Sequence, residues 1–344
     1  MGWAVRATTP PTSPPRGRPT PGPRTCRRTS LRALACPASF KGVLSASAAA
    51  EALCDGLRAG GAEAVPLPIA DGGEGTGEAL AAALGGNFLE AEVSDPLGRR
   101  VHARWLVLPD GRAVVEAAAA IGLPLLAPDE LDPLRASSRG FGELIDAAVE
   151  AGATGLLVGL GGVATVDGGE GLLEVVDSLK VPAVVFCDVK TVLADAARLY
   201  GPQKGASPAD VMTLEQRLVA IEELRPFAEL PGSGAAGGLG GALAALGGEL
   251  VPGADAILDL IGFDQRLDGA DLVVTGEGAV DRTTAEGKAP GAVARRCTAA
   301  SVRCIVVGGI VTEPVTGAET VALSGEPSRC ADDLRALGRE LAGS

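Results

Sequence analysis

The chain has little lysine, a single histidine, few aromatic residues and no long apolar run. These shortages limit the classes of protein to which it can belong. Of 344 residues only 3% are aromatic, one is His and seven are Cys without any CxxC pair. This set gives no zinc pattern, so we expect the cysteines to be reduced, packed thiols in a cytoplasmic protein. No apolar stretch reaches the roughly 18 residues that a membrane-spanning helix needs. Zinc-dependent and membrane-spanning classes are therefore excluded.

Acidic residues outnumber basic ones, which bears on the partners. Asp and Glu total 43 against 30 Lys and Arg, a formal net charge of −13. Such a field repels nucleic acid and anionic membrane surfaces. It still permits a small anion held in a local pocket. We therefore expect a small-molecule partner, no nucleic acid and no membrane, while a homo-oligomer stays possible.

The first 30 residues differ from the rest of the chain. They hold seven Pro and six Arg, no acidic residue and no apolar periodicity. A segment of this kind cannot bury enough surface to offset its ordering entropy. We expect residues 1–30 to form a disordered leader outside the fold, with a transit peptide or an upstream start codon as the alternatives.

The apolar pattern from Leu31 onward predicts an α/β protein. Two apolar runs separated by a helical stretch open the chain, three more alternate with helical patterns near its end, and short-turn strands between 88 and 117 predict an antiparallel meander. Five strands from both chain ends would form one parallel sheet, interrupted by an inserted mixed α/β domain. The predicted domains are residues 31–75 plus 262–344, and the insertion 76–261.

Three of the five lysines lie in loops of small residues. These are Lys41 in SFKG, Lys204 in GPQKGA and Lys288 in EGKAP. A lysine beside glycine at a strand end suits phosphate, because the backbone approaches closely and the ammonium adds a point charge. We predict phosphate or carboxylate contacts for Lys41 and Lys288, and leave Lys204 open between a contact and an ordinary turn.

Acidic residues recur in glycine-rich loops after apolar runs. Carboxylates at that edge of an α/β sheet can hold Mg²⁺ or take the proton of an attacking hydroxyl. The alternative is that Asp–Gly pairs simply form turns. The residues concerned are Asp71, Asp167, Asp188, Glu277 and Asp281.

Two nucleotide-binding motifs do not apply. Gly287-Lys288 is followed by Ala289, so no phosphate-binding GxxxxGK[ST] loop exists. Residues 232–237 match GxGxxG, but they follow Pro231 rather than a strand, which argues against a nicotinamide-dependent dehydrogenase. We predict instead a glycine-rich helix over 232–246 that faces an anion or packs closely.

These loops, in this order, resemble the bacterial glycerate kinase family that includes the glycerate 2-kinases. The matching blocks run from Leu31 to Gly309 and include CPASFKGVLSA, PLPIADGGEGT, GLGGVATVDGGEGLL, YGPQKGA, DLVVTGEGAVDRTT and EGKAP. The resemblance implies a discontinuous flavodoxin-like domain with an inserted domain. It also implies ATP-dependent phosphorylation of D-glycerate to 2-phosphoglycerate, with Mg²⁺, in the cleft between the domains.

The resemblance implies roles for thirteen residues, all named by their numbers in this chain. Asp188, Asp167 and Lys41 would serve catalysis, and Glu277 and Asp281 would hold Mg²⁺. Substrate or phosphate would be bound by Ser39, Lys41, Asp71, Gly72, Gly73, Glu74, Gly234, Gly237 and Lys288.

Several positions depart from the family pattern. Ala279 stands where the family has an Arg, Ala38 replaces an Asp, Ile121 a Ser, and Val163 and Val166 two polar residues. These changes predict a drier cleft with one clamp fewer on the anion. A kinase of another small hydroxy-acid and a catalytically dead anion-binding regulator therefore stay as alternatives.

Overall fold

The computed structural model describes residues 30–343, in which eleven strands alternate with helices. The predicted leader lies outside these residues, apart from Ser30. The strands are β1 (Arg32–Pro37), β2 (Glu63–Pro66), β3 (Asn87–Ser94), β4 (Arg100–Val107), β5 (Ala113–Glu116), β6 (Leu156–Gly159), β7 (Ala183–Phe186), β8 (Glu249–Val251), β9 (Leu272–Val280), β10 (Arg303–Val311) and β11 (Glu319–Ala322).

Thirteen α-helices lie in the same part of the chain, joined by short 3₁₀ turns. They are α1 (Ala46–Ala59), α2 (Thr76–Leu84), α3 (Ala117–Ile121), α4 (Arg139–Glu150), α5 (Glu170–Leu173), α6 (Ala196–Tyr200), α7 (Pro208–Ala220), α8 (Leu239–Ala245), α9 (Gly253–Leu260), α10 (Phe263–Leu267), α11 (Arg282–Glu286), α12 (Ala289–Ala300) and α13 (Cys330–Gly343).

The first sheet is parallel and takes its strands from both ends of the chain. Its order is β11-β10-β9-β1-β2, and every neighbouring pair is parallel. This is the flavodoxin-like order: the chain passes from β1 to β2 on one side, and it later returns with β9 on the other side of β1. The predicted fold class is confirmed. Ligands of such sheets bind at the carboxyl ends of the strands, where the order reverses.

The second sheet is mixed, and all of its strands come between the two halves of the first sheet in the sequence. Its order is β3-β4-β5-β6-β7-β8. Strands β3, β4 and β5 form the predicted antiparallel meander, whereas β5 to β8 are parallel. The carboxyl ends of the parallel strands β5, β6 and β7 therefore lie at the same edge of this sheet.

One apolar core joins the two sheets. Cys36 and Val273 of the first sheet are buried in the same cluster as Leu106, Val114 and Phe186 of the second. Burying side chains of this size stabilises the fold by about 1.5–3 kcal/mol each. The division of the chain at residues 75/76 and 261/262 stays a prediction.

Local sequence accounts for the ends of several elements. Ser45 caps α1, its hydroxyl accepting the N–H of Ala48 at 3.2 Å. Strand β2 ends at Pro66, four residues before the predicted end, because its partner β1 ends at Pro37; the Leu67 and Ile69 N–H groups still donate to carbonyls of β1, at 2.8 and 3.0 Å. Strand β9 instead continues to Val280, five residues beyond the prediction, since its glycines keep their pairing with β10.

Among the described residues, no helix combines the length and the apolar character needed to cross a membrane. The six described cysteines all carry free thiols, as predicted from their spacing.

Candidate active site

Charged residues from three loops and from strand β9 lie near one another where the two sheets meet, at the contact of Gly72 with Phe186, and we call this place the cleft. Asp71 follows β2, Asp188 follows β7, Glu277 lies near the end of β9, and Lys288 precedes α12. The Asp71 charge contributes to raising the pKa of both Asp188 and Glu277. A Cβ placed on Gly287 would lie 3.3 Å from the Asp188 carbonyl oxygen, so the Lys288 loop adjoins Asp188. The structure therefore brings together four side chains from the predicted set.

Asp188 is the most perturbed carboxylate of this cluster. Burial first, and then the charge of Asp71, raise its pKa from 3.8 to about 7. Its Oδ1 accepts the N–H of Ala254 at 3.2 Å, at the start of α9. Its Oδ2 is buried and has no hydrogen-bond partner among the described residues. A buried carboxylate oxygen without a partner is costly unless a ligand or proton satisfies it.

Glu277 and Asp281, predicted to hold Mg²⁺, are arranged around a lysine instead. The Lys288 ammonium lies 3.3 Å from Glu277 Oε2 and 3.9 Å from Asp281 Oδ1. Thr284 donates to Glu277 at 2.7 Å, and Thr283 donates through both its N–H and its hydroxyl to Asp281, which caps α11. A cation already bridges the pair. The described residues contain no group of three or more His, Cys, Asp or Glu side chains placed to hold a metal ion. Mg²⁺ needs only one or two carboxylates beside phosphate and water, so its binding by Glu277 and Asp281 stays a prediction.

The pKa values of the two carboxyls move in opposite directions. Burial raises the pKa of Glu277 in spite of the Thr284 and Lys288 contacts. The hydroxyl of Thr283 lowers the pKa of the exposed Asp281. Both charges fix the position of the Lys288 ammonium.

The glycine-rich turn after β2 is already occupied by a carboxylate. Gly73 donates its N–H to Asp71 Oδ1 at 3.1 Å, and the N–H groups of Gly75, Thr76 and Gly77 donate to Glu116. Gly72 packs on Phe186, and the Glu74 side chain is exposed. The N–H groups of Gly73 and of residues 75–77 are therefore bound to side chains of the protein, and phosphate binding by Gly72, Gly73 and Glu74 stays a prediction. Glu116 was not among the predicted site residues, although it lies in LPDGRAVVEAAAAIGL, a further block that resembles the family.

Lys41 lies at the rim of the same cleft. The turn after β1 runs beside β9, where Ala38 donates to Gly276 at 2.8 Å. A Cβ on Gly278 would lie 3.4 Å from the Lys41 backbone nitrogen. The Lys41 side chain is exposed and forms no ion pair with any described side chain, while Ser39 is half-buried in the same turn. Both predicted residues thus border the cluster without contacting it.

Asp167 is held away from the cluster in a closed network of its own. Its Oδ2 accepts the N–H and the hydroxyl of Ser138 at 2.7 and 2.8 Å, and Gly169 and Gly171 donate further bonds. The nearly buried Lys204 donates to the Thr165 carbonyl at 2.7 Å. These contacts hold two loops of the second sheet together.

Gly234 and Gly237 permit close packing rather than an open anion site. Gly234 donates its N–H to the Thr191 carbonyl at 2.9 Å. Gly237 has a φ of +73°, and a Cβ there would lie 2.3 Å from the Thr165 carbonyl oxygen. The predicted helix over 232–246 begins as a 3₁₀ turn and becomes α8 only at Leu239.

The polar-to-apolar departures lie in the core, not in the cleft. Ile121, Val163 and Val166 are all at most 3% exposed and belong to the apolar cluster of the second sheet. They stabilise that core and do not line the cleft, so the predicted drier cleft is wrong for these three. Ala279 is exposed beyond Glu277, where a longer side chain would reach the cleft.

A two-sheet α/β fold with these loops in this order has known counterparts. The sequence profile of the Glycerate kinase family matches residues 33–179 and 175–326, nearly the whole described chain. The chain belongs to the glycerate kinase family. Its members are phosphotransferases with an alcohol group as acceptor, which confirms the predicted family and enzyme class.

Curated relatives and a solved structure agree with this family. Glycerate 2-kinase of Escherichia coli (strain K12) is 37% identical, covering 83% of this chain and 87% of the relative. Glycerate kinase of Bacillus subtilis (strain 168) is 36% identical, with 82% and 86% covered. A crystal structure of a proposed glycerate kinase 2 from Salmonella typhimurium LT2 superposes with a TM-score of 0.78 at 33% identity, over 91% of this chain and 97% of that one.

Proposed function

We propose that this glycerate kinase family member transfers the γ-phosphoryl group of ATP to the 2-hydroxyl of D-glycerate, giving 2-phosphoglycerate. Family membership and the names of the relatives support the acceptor. The observation that carries the site assignment is Asp188, whose Oδ2 is buried without a partner among the described residues. The cleft beside it takes the small anionic acceptor.

Asp188 orients and deprotonates the attacking hydroxyl. A general base works best when its pKa lies near the working pH, and that of Asp188 is about 7 because of burial and the nearby Asp71. The hydroxyl donates to Oδ2 and loses its proton to that atom as its oxygen bonds to the γ-phosphorus, while the bond from that phosphorus to the bridging oxygen breaks and ADP leaves with the oxygen. The Ala254 N–H on Oδ1 keeps the carboxylate aimed into the cleft.

Lys288 and Lys41 supply positive charge on the two sides of the cleft. Phosphoryl transfer depends mainly on positioning and on neutralising the charge of the phosphate oxygens. The ammonium of Lys288 is fixed by Glu277 and Asp281, so it meets an incoming phosphate without reorganisation. The exposed Lys41 is free to reach the nucleotide or the acceptor carboxylate.

Mg²⁺ enters as part of the co-substrate, bound to the ATP phosphates. It neutralises their charge during transfer. No resident metal is assigned to the carboxylates of the cleft. A cytoplasmic location and the absence of nucleic-acid partners are parts of the same proposal, supported by the net charge and the free thiols.

The decisive experiment is ADP release by the purified full-length protein with ATP, Mg²⁺ and D-glycerate, against a control without acceptor. We expect acceptor-dependent turnover in the ordinary enzyme range of about 1–10³ s⁻¹. Phosphorus NMR of the product then separates 2-phosphoglycerate from 3-phosphoglycerate, and the latter would overturn the assigned hydroxyl.

The alternatives give different results in the same assay. Turnover with another small hydroxy-acid but not with glycerate would move the acceptor assignment, and Ala279 is the exposed departure that favours such a change. Thermal stabilisation by ATP without any transfer would indicate an anion-binding regulator. A protein that neither binds ATP nor transfers its phosphoryl group would overturn the kinase proposal.

A further inference from the structure

Glu116 is a half-buried carboxylate bound by a helix N-terminus. It ends β5 of the second sheet, and its Oε1 accepts the N–H groups of Gly75 and Thr76 at 2.7 and 3.0 Å. Its Oε2 accepts the N–H of Gly77 at 3.3 Å. Three backbone donors on one carboxylate are the arrangement in which proteins usually hold an anionic ligand.

The turn is shaped to receive this side chain. Gly75 has a φ of +90°, in the left-handed region that favours glycine, and this turns successive N–H groups toward one point. A Cβ on Gly77 would lie 3.1 Å from Glu116 Oε2, tighter than ordinary side-chain contacts. Helix α2, which these residues begin, adds the positive end of its dipole. The carboxylate therefore stands in for a bound anion.

A short chain of hydrogen bonds leads from this carboxylate to the cleft. The Thr76 hydroxyl donates to the Gly73 carbonyl at 2.7 Å, and the Gly73 N–H donates to Asp71 Oδ1 at 3.1 Å. Asp71 belongs to the loop of the first sheet, whereas Glu116 belongs to the second sheet. The bonds thus connect the two sheets at the residue whose charge acts on Asp188.

We propose that Glu116 is a positioning residue of this enzyme: its carboxylate fills the anion cradle of residues 75–77 and holds Asp71 opposite Asp188. The inference rests on the proposed function, because Asp188 is the group whose environment it sets. The nucleotide phosphates bind at the lysine side of the cleft and not in this turn.

Removing the carboxylate should create an anion-dependent enzyme. Glu116→Ala leaves three N–H donors facing a hole of carboxylate size, which formate fills. Without formate we expect kcat/KM for D-glycerate to fall at least about tenfold, mainly through kcat, and Tm to fall by about 3 °C or more. Formate, compared with chloride at equal ionic strength, should raise kcat/KM and Tm of the variant in a saturable way. It should change neither quantity in the wild type.

Glu143→Ala is the matched control. Glu143 also accepts a backbone N–H, from Ser94 at 2.8 Å, and its ion pairs are with Arg100 and Arg139, neither of which belongs to the proposed site. Its loss should lower Tm while kcat/KM per folded molecule stays at the wild-type value, and formate should not change that value. Should Glu116→Ala not fold, Glu116→Gln keeps one acceptor oxygen and is expected to show a smaller loss of kcat.

Three outcomes overturn the inference. They are wild-type kcat/KM in Glu116→Ala, recovery of Tm by formate without recovery of kcat/KM, and an equal loss of kcat/KM in Glu143→Ala. A wild-type protein inactive on glycerate would refute the proposed function separately. The Tm of Glu116→Ala then still tests the carboxylate in the turn, and a Tm that formate does not raise overturns that part of the inference.

Discussion

At the scale of single residues, Asp188 combines a cost to stability with a role in catalysis. Substitution Asp188→Asn keeps an oxygen for the Ala254 N–H but removes the buried charge. We expect kcat to fall about 10²–10⁴-fold, since a general base contributes that much. We also expect Tm at pH 8 to rise by about 2–4 °C, because the ionised carboxylate is no longer buried without a partner.

Steady-state kinetics and thermal denaturation of the same preparation test this pair of effects. Asp110→Asn is the control, because Asp110 is exposed and pairs only with Arg112 at 2.7 Å. That variant should keep wild-type kcat. Full turnover by Asp188→Asn would remove the residue from the proposed mechanism.

At the scale of elements, the turn after β2 depends on close approach by Gly72. Its φ is +95°, and a Cβ would lie 2.4 Å from Phe186 Cβ. Gly72→Ala therefore adds backbone strain of roughly 1–2 kcal/mol and overpacking of roughly 1–3 kcal/mol, and it displaces the Asp71 loop. We expect a lower Tm together with a loss of kcat/KM.

Gly61→Ala separates strain from displacement. Gly61 has a similar φ of +97°, at the end of α1, and a Cβ added there would meet no other atom within 4 Å. The Tm of Gly61→Ala should fall because of backbone strain alone, and its kcat/KM should stay at the wild-type value. Equal kinetic loss in the two variants would contradict the role of the turn.

The packing of α12 on α9 and α10 depends on one arginine. The guanidinium of Arg296, 17% exposed, bonds to Asp259 at 2.6 Å, to Asp264 at 3.1 Å and to Asp255. Arg296→Ala should cost roughly 2 kcal/mol, because three carboxylates lose their common partner. The half-exposed Arg295 pairs only with Asp255, so Arg295→Ala should cost less than about 1 kcal/mol. Urea denaturation measures both, and equal costs would refute the network.

At the scale of the whole molecule, the buried Lys204 and the half-buried Asp188 and Glu116 give stability an unusual pH dependence. Burial raises the pKa of Asp188 and Glu116 to about 7 and lowers that of Lys204 to about 7. The folded state holds the two carboxyl protons more tightly, so their contribution falls as pH rises from about 4.5 to 7. Lys204 binds its proton less tightly when folded, so its contribution rises between about pH 7 and 10.

These contributions together have their minimum near pH 7. Tm should therefore rise from about pH 7 to 9.5 in the wild type, and Lys204→Met should abolish that rise. Asp188→Asn should flatten the acid side. A wild-type rise that persists in Lys204→Met would show that other groups cause it.

Much of the fold follows from the sequence alone. Periodicity locates β1, α1, β7 and α12 to within a residue or two, because apolar spacing, the Ser45 cap and glycine stops act locally. The lengths of β2 and β9 needed the sheet, since a strand ends where its partner ends. The order of residues in the loops was enough for the family.

The features of the cleft likewise divide into those that the sequence indicated and those that only the structure showed. The sequence by itself pointed to Asp71, Asp188 and Glu277, because each follows a predicted apolar strand, and to Lys288, because it lies in a loop of small residues. Only the tertiary structure decided that a lysine bridges the carboxylates expected to hold a metal, and that Glu116 fills the expected phosphate turn. The physical reason is distance along the chain: Glu116 lies about forty residues from the N–H groups it binds, and no local pattern encodes a contact of that span.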